Sequence, residues 1–249
     1  MFAVSEPIPA GLLIVFIGVL GLIFGSFVTA LSYRLPRGIS IAKGRSACPA
    51  CGATLTVRDL IPVVSWLVNR RSCRACGAKV SWRYPLIELV MSALFVLAVV
   101  LVDNPARLIV VLAATPAMVA LSVIDIEHRR LPNVLVAYLA VSAAAFRYLL
   151  GADFVEAAAS AVGVFAAALL LDWVGRRLLR QGLGMGDAKL MAIAALALPP
   201  VPLLMALTAA GCLGALTGVI FPDRQTAGRT QVPLGPAILI GFWGALVAL

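Results

Sequence analysis

Apolar residues fill this chain in long blocks, and polar residues only punctuate them. Blocks over about 11–32, 85–102, 108–124, 133–150, 155–174 and 235–249 approach or reach the ~17–25 residues that a helix needs to cross a bilayer. The stretch 188–221 is apolar as well, but "LPPVP" interrupts it. A helix over 188–198 rises only ~16 Å, about half of a ~30 Å hydrocarbon core. Such a partial span must be buried in protein or line a wet cavity. The pattern predicts an all-α polytopic membrane protein of about eight transmembrane helices.

One stretch breaks the pattern. Residues 33–85 are polar enough, and long enough, to fold as a small domain. The chain therefore divides into a first span (1–32), a loop domain (33–85) and a membrane core (86–249).

Composition agrees with this division. The 249 residues are 62% hydrophobic and only 12% charged, where a soluble domain carries about 25% charge. The net charge of +9 would suit a nucleic-acid partner, but its distribution argues against one. Ten of the twenty Lys and Arg lie within 33–85, and eighteen fall in alternate loops; Arg107 and Arg147 are the exceptions. That asymmetry marks the cytoplasmic side of a membrane protein. The opening "MFAVSEPIPA" has no basic residue and contains Glu6, whereas a signal peptide needs a positive start. The N-terminus is thus expected outside and the loop domain in the cytoplasm. Membrane lipid is the expected surface partner, with anionic headgroups attracted to the basic loops. Oligomeric state is not fixed by the sequence.

The loop domain contains two near-copies, "CPACGATL" and "CRACGAKV". Their cysteines, Cys48, Cys51, Cys73 and Cys76, have the spacing C-x2-C-x21-C-x2-C. Two such turns can present four thiolates to one tetrahedral Zn2+. A domain of about fifty residues gains from such a staple. Two disulfides are the competing reading, and a cytoplasmic loop disfavours them. A closed four-thiolate site leaves no place for a reacting water, so the metal is structural and catalysis must lie elsewhere. The fifth cysteine, Cys212, reads as a small core residue.

Two aspartates stand beside spans. Asp125 closes one in "VIDIEHRRLPN", and Asp187 opens another from the glycine-rich loop "GLGMGDAKL". Alternating loops put both at the cytoplasmic face. Ionisable groups at such places are costly and usually functional. Two carboxylates in contact cannot both ionise readily, so one keeps a proton while the other is charged. The pair can activate water and protonate a carbonyl oxygen, which is enough to hydrolyse an amide. Gly184 and Gly186 lack Cβ atoms and would let a substrate backbone approach. Lys189 either tunes the Asp187 charge or snorkels, and snorkelling is favoured. A plain helix cap is the alternative for an Asp at a helix start. Asp172 is four residues before Arg176 and reads as a local ion pair. Glu127 and His128 read as solvated loop residues. Glu88, just inside the second span, is open to either reading.

At these motifs the chain resembles the type IV prepilin peptidase family, membrane aspartic peptidases with a GxGD motif. The likeness spans nearly the whole chain: "GSFVTALSYRLP" (with Thr29 where asparagine is usual), the two-knuckle loop, "DIEHRRLPN" and "GMGDAKL" follow in order. The resemblance implies an enzyme of the bacterial cytoplasmic membrane that cuts the basic leader from type IV prepilins and pseudopilins of pilus and type II secretion systems. It implies Asp125 and Asp187 as catalytic pair and the four cysteines as zinc ligands. It also implies N-methylation of the new terminus with S-adenosylmethionine, for which Glu88 and Tyr84, next to the loop, are the candidate contacts. A proton-coupled transporter using Asp125 and Asp187, and a non-catalytic zinc-loop assembly protein, are the alternatives from other classes.

Overall fold

The structure is a computed structural model that describes residues 9–178, 182–220, 225–226, 229–230 and 234–249. The expectation for the extreme N-terminus, and most of the loop before the last span, lie outside the described residues.

Among the described residues the chain is almost wholly helical. The apolar helices are α1 (Ala10–Arg34), α3 (Arg83–Leu101), α4 (Pro105–His128), α5 (Asn133–Leu149), α6 (Phe154–Leu178), α7 (Met185–Ala197), α8 (Pro200–Ile220) and α9 (Gly235–Ala248). A five-residue helix, α2 (Val64–Val68), lies in the polar domain. Two-residue strands β1 (Gln225–Thr226) and β2 (Arg229–Thr230) pair antiparallel between α8 and α9. Four helices, α1, α3, α4 and α6, are long and apolar enough to cross a membrane.

The helix boundaries follow local chemistry. Asn104 caps α4: its side chain accepts from the N–H groups of Ala106 and Arg107, with Pro105 at the first helical position. Both features suit a helix start. Pro132 precedes α5 as expected. The "DIEH" segment, however, is the last turn of α4 and not a loop. Nothing in it breaks a helix, and the helix stops only where Arg129 turns left-handed, φ 52°, ahead of Pro132.

Of the four long spans α4 is the most enclosed, with 56% of its apolar window buried, against 11% for α6. Val111, Ala120, Leu121 and Ile124 of α4 are fully covered. The α9 side chain of Trp243 donates to the Thr115 hydroxyl of α4 at 2.9 Å, which satisfies a buried indole. Helix α7 spans only ~20 Å and survives because Leu190, Ala194, Ala195 and Ala197 are buried against α5, α6 and α9. By contrast α6 and α8 turn Leu170, Leu171, Val201 and Leu204 outward, as lipid-facing surfaces do. Cys212 is exposed on α8, so it is not a core residue. Apolar character does not imply burial when the solvent is itself apolar.

Helices α1 and α3 cross closely. A Cβ on Gly25 would lie 2.5 Å from the Glu88 Cα, and one on Gly21 would lie 2.6 Å from the Ser92 Cα. Small residues at a crossing let backbones approach in this way. The crossing sets the polar domain directly on the ends of α1 and α3.

Candidate active site and metal centre

The two cysteine knuckles fold alike. In the first, the Cys48 N–H bonds to Ala53 O at 2.9 Å and the Gly52 N–H to Cys48 O at 2.9 Å. In the second, Cys73 and Ala78 pair at 2.8 Å, Gly77 and Cys73 at 2.9 Å. Gly52 and Gly77 both have φ 72°, a conformation that favours glycine. All four sulfurs lie within 4.8 Å of one another, and all four cysteines are free of disulfides. Zinc–sulfur bonds of ~2.3 Å in a tetrahedron place sulfurs ~3.8 Å apart, so the set fits Zn2+ with a small contraction. Backbone N–H groups of Cys51 and Ala50 draw the Cys48 thiol down to about 7 from 9.0, which favours the thiolate that a metal requires. Beside the knuckles, the Trp66 and Trp82 rings pack tilted at 53° with centroids 4.1 Å apart, and Arg71 lies against both. Asp59 closes a capping box with Thr56, whose hydroxyl donates to it at 2.6 Å. That bond, then the Thr56 N–H, holds the Asp59 carboxyl below 3.8.

Between this domain and the ends of α1 and α3 lies a cavity of about 860 Å³. Ser26, Thr29 and Tyr33 line it from α1, Tyr84 and Glu88 from α3. Thr29 is buried and its hydroxyl donates to Ser26 O at 2.7 Å. Glu88 is only 6% exposed.

The aspartates sit on α4 and α7. Asp125 is buried one turn before the end of α4, and Asp187 is in the first turn of α7. Asp187 is therefore a helical residue, neither on the loop nor the cap: Gly184 is the cap. The two carboxylates sense each other's charge across the fold. The Asp125 carboxylate faces the Gly235 N–H and the charge of Arg129, and the Asp187 carboxylate faces the Gly184 N–H. The buried Oδ2 of Asp125 has no hydrogen-bond partner among the described residues. Leaving a buried acceptor unmet costs about 1–3 kcal/mol, so the arrangement does not serve stability alone.

Around the pair, Gly186 is covered by Leu131: a Cβ there would lie 2.6 Å from Leu131 Cδ1. Lys189 Nζ donates to Asn133 Oδ1 at 2.9 Å, and no ion pair joins it to Asp187 among the described residues. Glu127 is partly exposed, as a solvated residue is, and is also ion-paired with Arg83. His128 is partly buried, with Nε2 covered and 4.0 Å from the Glu127 carboxylate. Asp172 pairs with Arg176 at 2.9 Å, as its spacing implies. Gly235, Arg129 and Asn133 are the site neighbours that sequence reasoning missed. The "PLGP" signal around Gly235 announces a helix start, but nothing in it points back to Asp125.

Residues 19–102 match the bacterial peptidase A24 N-terminal domain, and residues 112–219 match the type IV leader peptidase family. The chain belongs to the type IV leader peptidase family. Asp125 and Asp187 both fall within the second match, with all of α7 and with α4 from residue 112 onward. This family member is 33% identical to the type 4 prepilin-like proteins leader peptide-processing enzyme of Escherichia coli O78:H11, over 89% of this chain and 88% of that one. It is 33% identical to the prepilin leader peptidase/N-methyltransferase of Bacillus subtilis, over 90% of this chain and 89% of that one. The Myxococcus xanthus protein of the same name is 35% identical over 83% of this chain and 62% of its own length. No solved structure matches the chain.

Proposed function

We propose that this leader peptidase cuts type IV prepilins or pseudopilins at the cytoplasmic face of the bacterial inner membrane and then N-methylates the new amino terminus. The approach of Asp125 to Asp187, on two buried helices of a family peptidase, carries the reading.

The chemistry follows from the pair. The charged carboxylate draws a proton from water as that water attacks the scissile carbonyl. The neutral one donates to the carbonyl oxygen. The amide then collapses, and its nitrogen leaves as an amine after taking a proton. Gly184 leaves the approach to Asp187 free of a side chain, while Gly186 under Leu131 and Lys189 on Asn133 shape the adjacent wall. A prepilin, itself an apolar helix with a basic leader, presents its cleavage point near the membrane surface, where such a pair operates.

Cys48, Cys51, Cys73 and Cys76 would hold zinc as a staple for the loop domain. S-adenosylmethionine supplies an electrophilic methyl group when bound. Tyr84 and Glu88 in the 860 Å³ cavity are its candidate neighbours, and the volume suits a ligand of that size. The decisive experiment is cleavage of a prepilin-like peptide in detergent by Asp125→Asn and Asp187→Asn proteins. Each is expected to lose at least about a thousandfold in rate. Wild-type cleavage by either variant sinks the reading.

A further inference from the structure

Among the described residues two acidic ones line the cavity between α1, α3 and the cysteine domain, and they differ. Asp59 is satisfied by Thr56 and lies 3.4 Å from Arg74. Glu88 is more deeply enclosed and forms no ion pair among the described residues. Its Oε2 accepts the Val63 N–H at 2.7 Å, and the Ser26 hydroxyl is a second partner. Val63 pays for this contact with a left-handed backbone, φ 60°, which a β-branched residue rarely adopts. Strain of this kind persists where the surroundings impose it, and it clusters at functional sites.

Resting on the reading that this cavity receives a sulfonium methyl donor, we propose that Glu88 is the carboxylate that binds and deprotonates the pilin's newly exposed α-amino group. Glu88 and Ser26 form the end of the cavity built from membrane helices; the opposite end is built from the polar domain. A substrate amine borne on a membrane helix reaches the former, and a water-soluble donor the latter. The lining cations Arg45, Arg74 and Lys79 belong to the polar domain, and Arg34, at the end of α1, donates to its carbonyls at Ser40 and Arg45; together they would repel an ammonium there.

The reaction balances. The ammonium gives one proton to the Glu88 carboxylate. The freed nitrogen lone pair forms a bond to the methyl carbon as the carbon–sulfur bond breaks, and its electron pair stays on sulfur. A methylated ammonium and a neutral thioether result, and the proton leaves Glu88 for water.

The test uses full-length protein in detergent, with S-adenosylmethionine and a leaderless pilin-like peptide bearing either a free or an acetylated N-terminus. Wild-type protein should bind the free amine about tenfold more tightly than the acetylated peptide. Glu88→Gln keeps an acceptor for Val63; it should lose that preference and most methylation. Zinc content and thermal unfolding report that the variant is folded. Undiminished methylation or a retained amine preference in the folded variant overturns the assignment. If the variant does not fold, the wild-type comparison decides, and equal binding of the two peptides overturns it. Donor binding that is absent from wild type refutes the cavity reading itself; donor binding without amine preference refutes only Glu88.

Discussion

Arg83, the first residue of α3, ion-pairs with Glu127, two residues beyond Asp125 on α4. Its second nitrogen, Nη2, reaches the other Glu127 oxygen at 3.1 Å and the Ser32 hydroxyl of α1 at 2.7 Å. One guanidinium thus joins the end of the cysteine domain, the first helix and the aspartate helix. A forked donor fits a carboxylate in two bonds and fixes its direction.

Breaking that junction should loosen the aspartate site without removing it. Arg83→Met and Glu127→Gln are each expected to cost about 1 kcal/mol of stability, since both side chains are partly exposed and solvent weakens the pair. Leader cleavage should fall about three- to tenfold. The double variant should be no worse than the poorer single one, because residues in contact are not additive. Full additivity in a peptide-cleavage assay would show that the pair is incidental.

Gly235 should resist substitution. A Cβ there would lie 2.6 Å from Asp125 Oδ2, too close for the carboxylate to stay. Gly235→Ala is expected to reduce cleavage at least about tenfold by displacing a reacting group, since small misplacements carry such costs. Methylation of an already cleaved peptide should change little. Equal loss of both activities would point to a folding defect instead.

The metal site predicts one zinc per chain by elemental analysis. Cys73→Ser should lower that content and expose the loop to protease, because structural zinc supplies folding energy. Protons compete with the metal for thiolates, so zinc should be released as pH falls from about 8 to about 5. Full zinc retention with all four cysteines changed to serine would exclude this site.

The α1–α3 crossing should be intolerant of bulk. Gly25→Leu would set side-chain atoms into the Glu88 backbone and is expected to cost about 1–3 kcal/mol, as overpacking does. A thermal midpoint in detergent equal to that of the wild type would show that the helices can separate freely.

Local features were legible in advance. The spans, the knuckles, the Pro132 boundary and the Asp172–Arg176 pair each depend on neighbours a few residues away. The misread residues share a cause. Glu127 and His128 read as loop residues because charge in a short segment resembles a connection, and the Glu127 partner, Arg83, lies 44 residues away. Cys212 was assigned to a core because apolar sequence alone does not tell lipid from protein.

By itself, the sequence determined a helical membrane protein with one polar domain, a four-cysteine metal set and two aspartates beside spans. Run length, spacing and charge are properties of neighbouring residues. The fold decided what surrounds those groups: Arg83 on Glu127 across 44 residues, Lys189 on Asn133 across 56, and Val63 on Glu88 across 25. Only tertiary structure turned Gly235 toward Asp125. Such contacts join segments that carry no mark of one another, because helix packing selects them by shape and not by any local pattern.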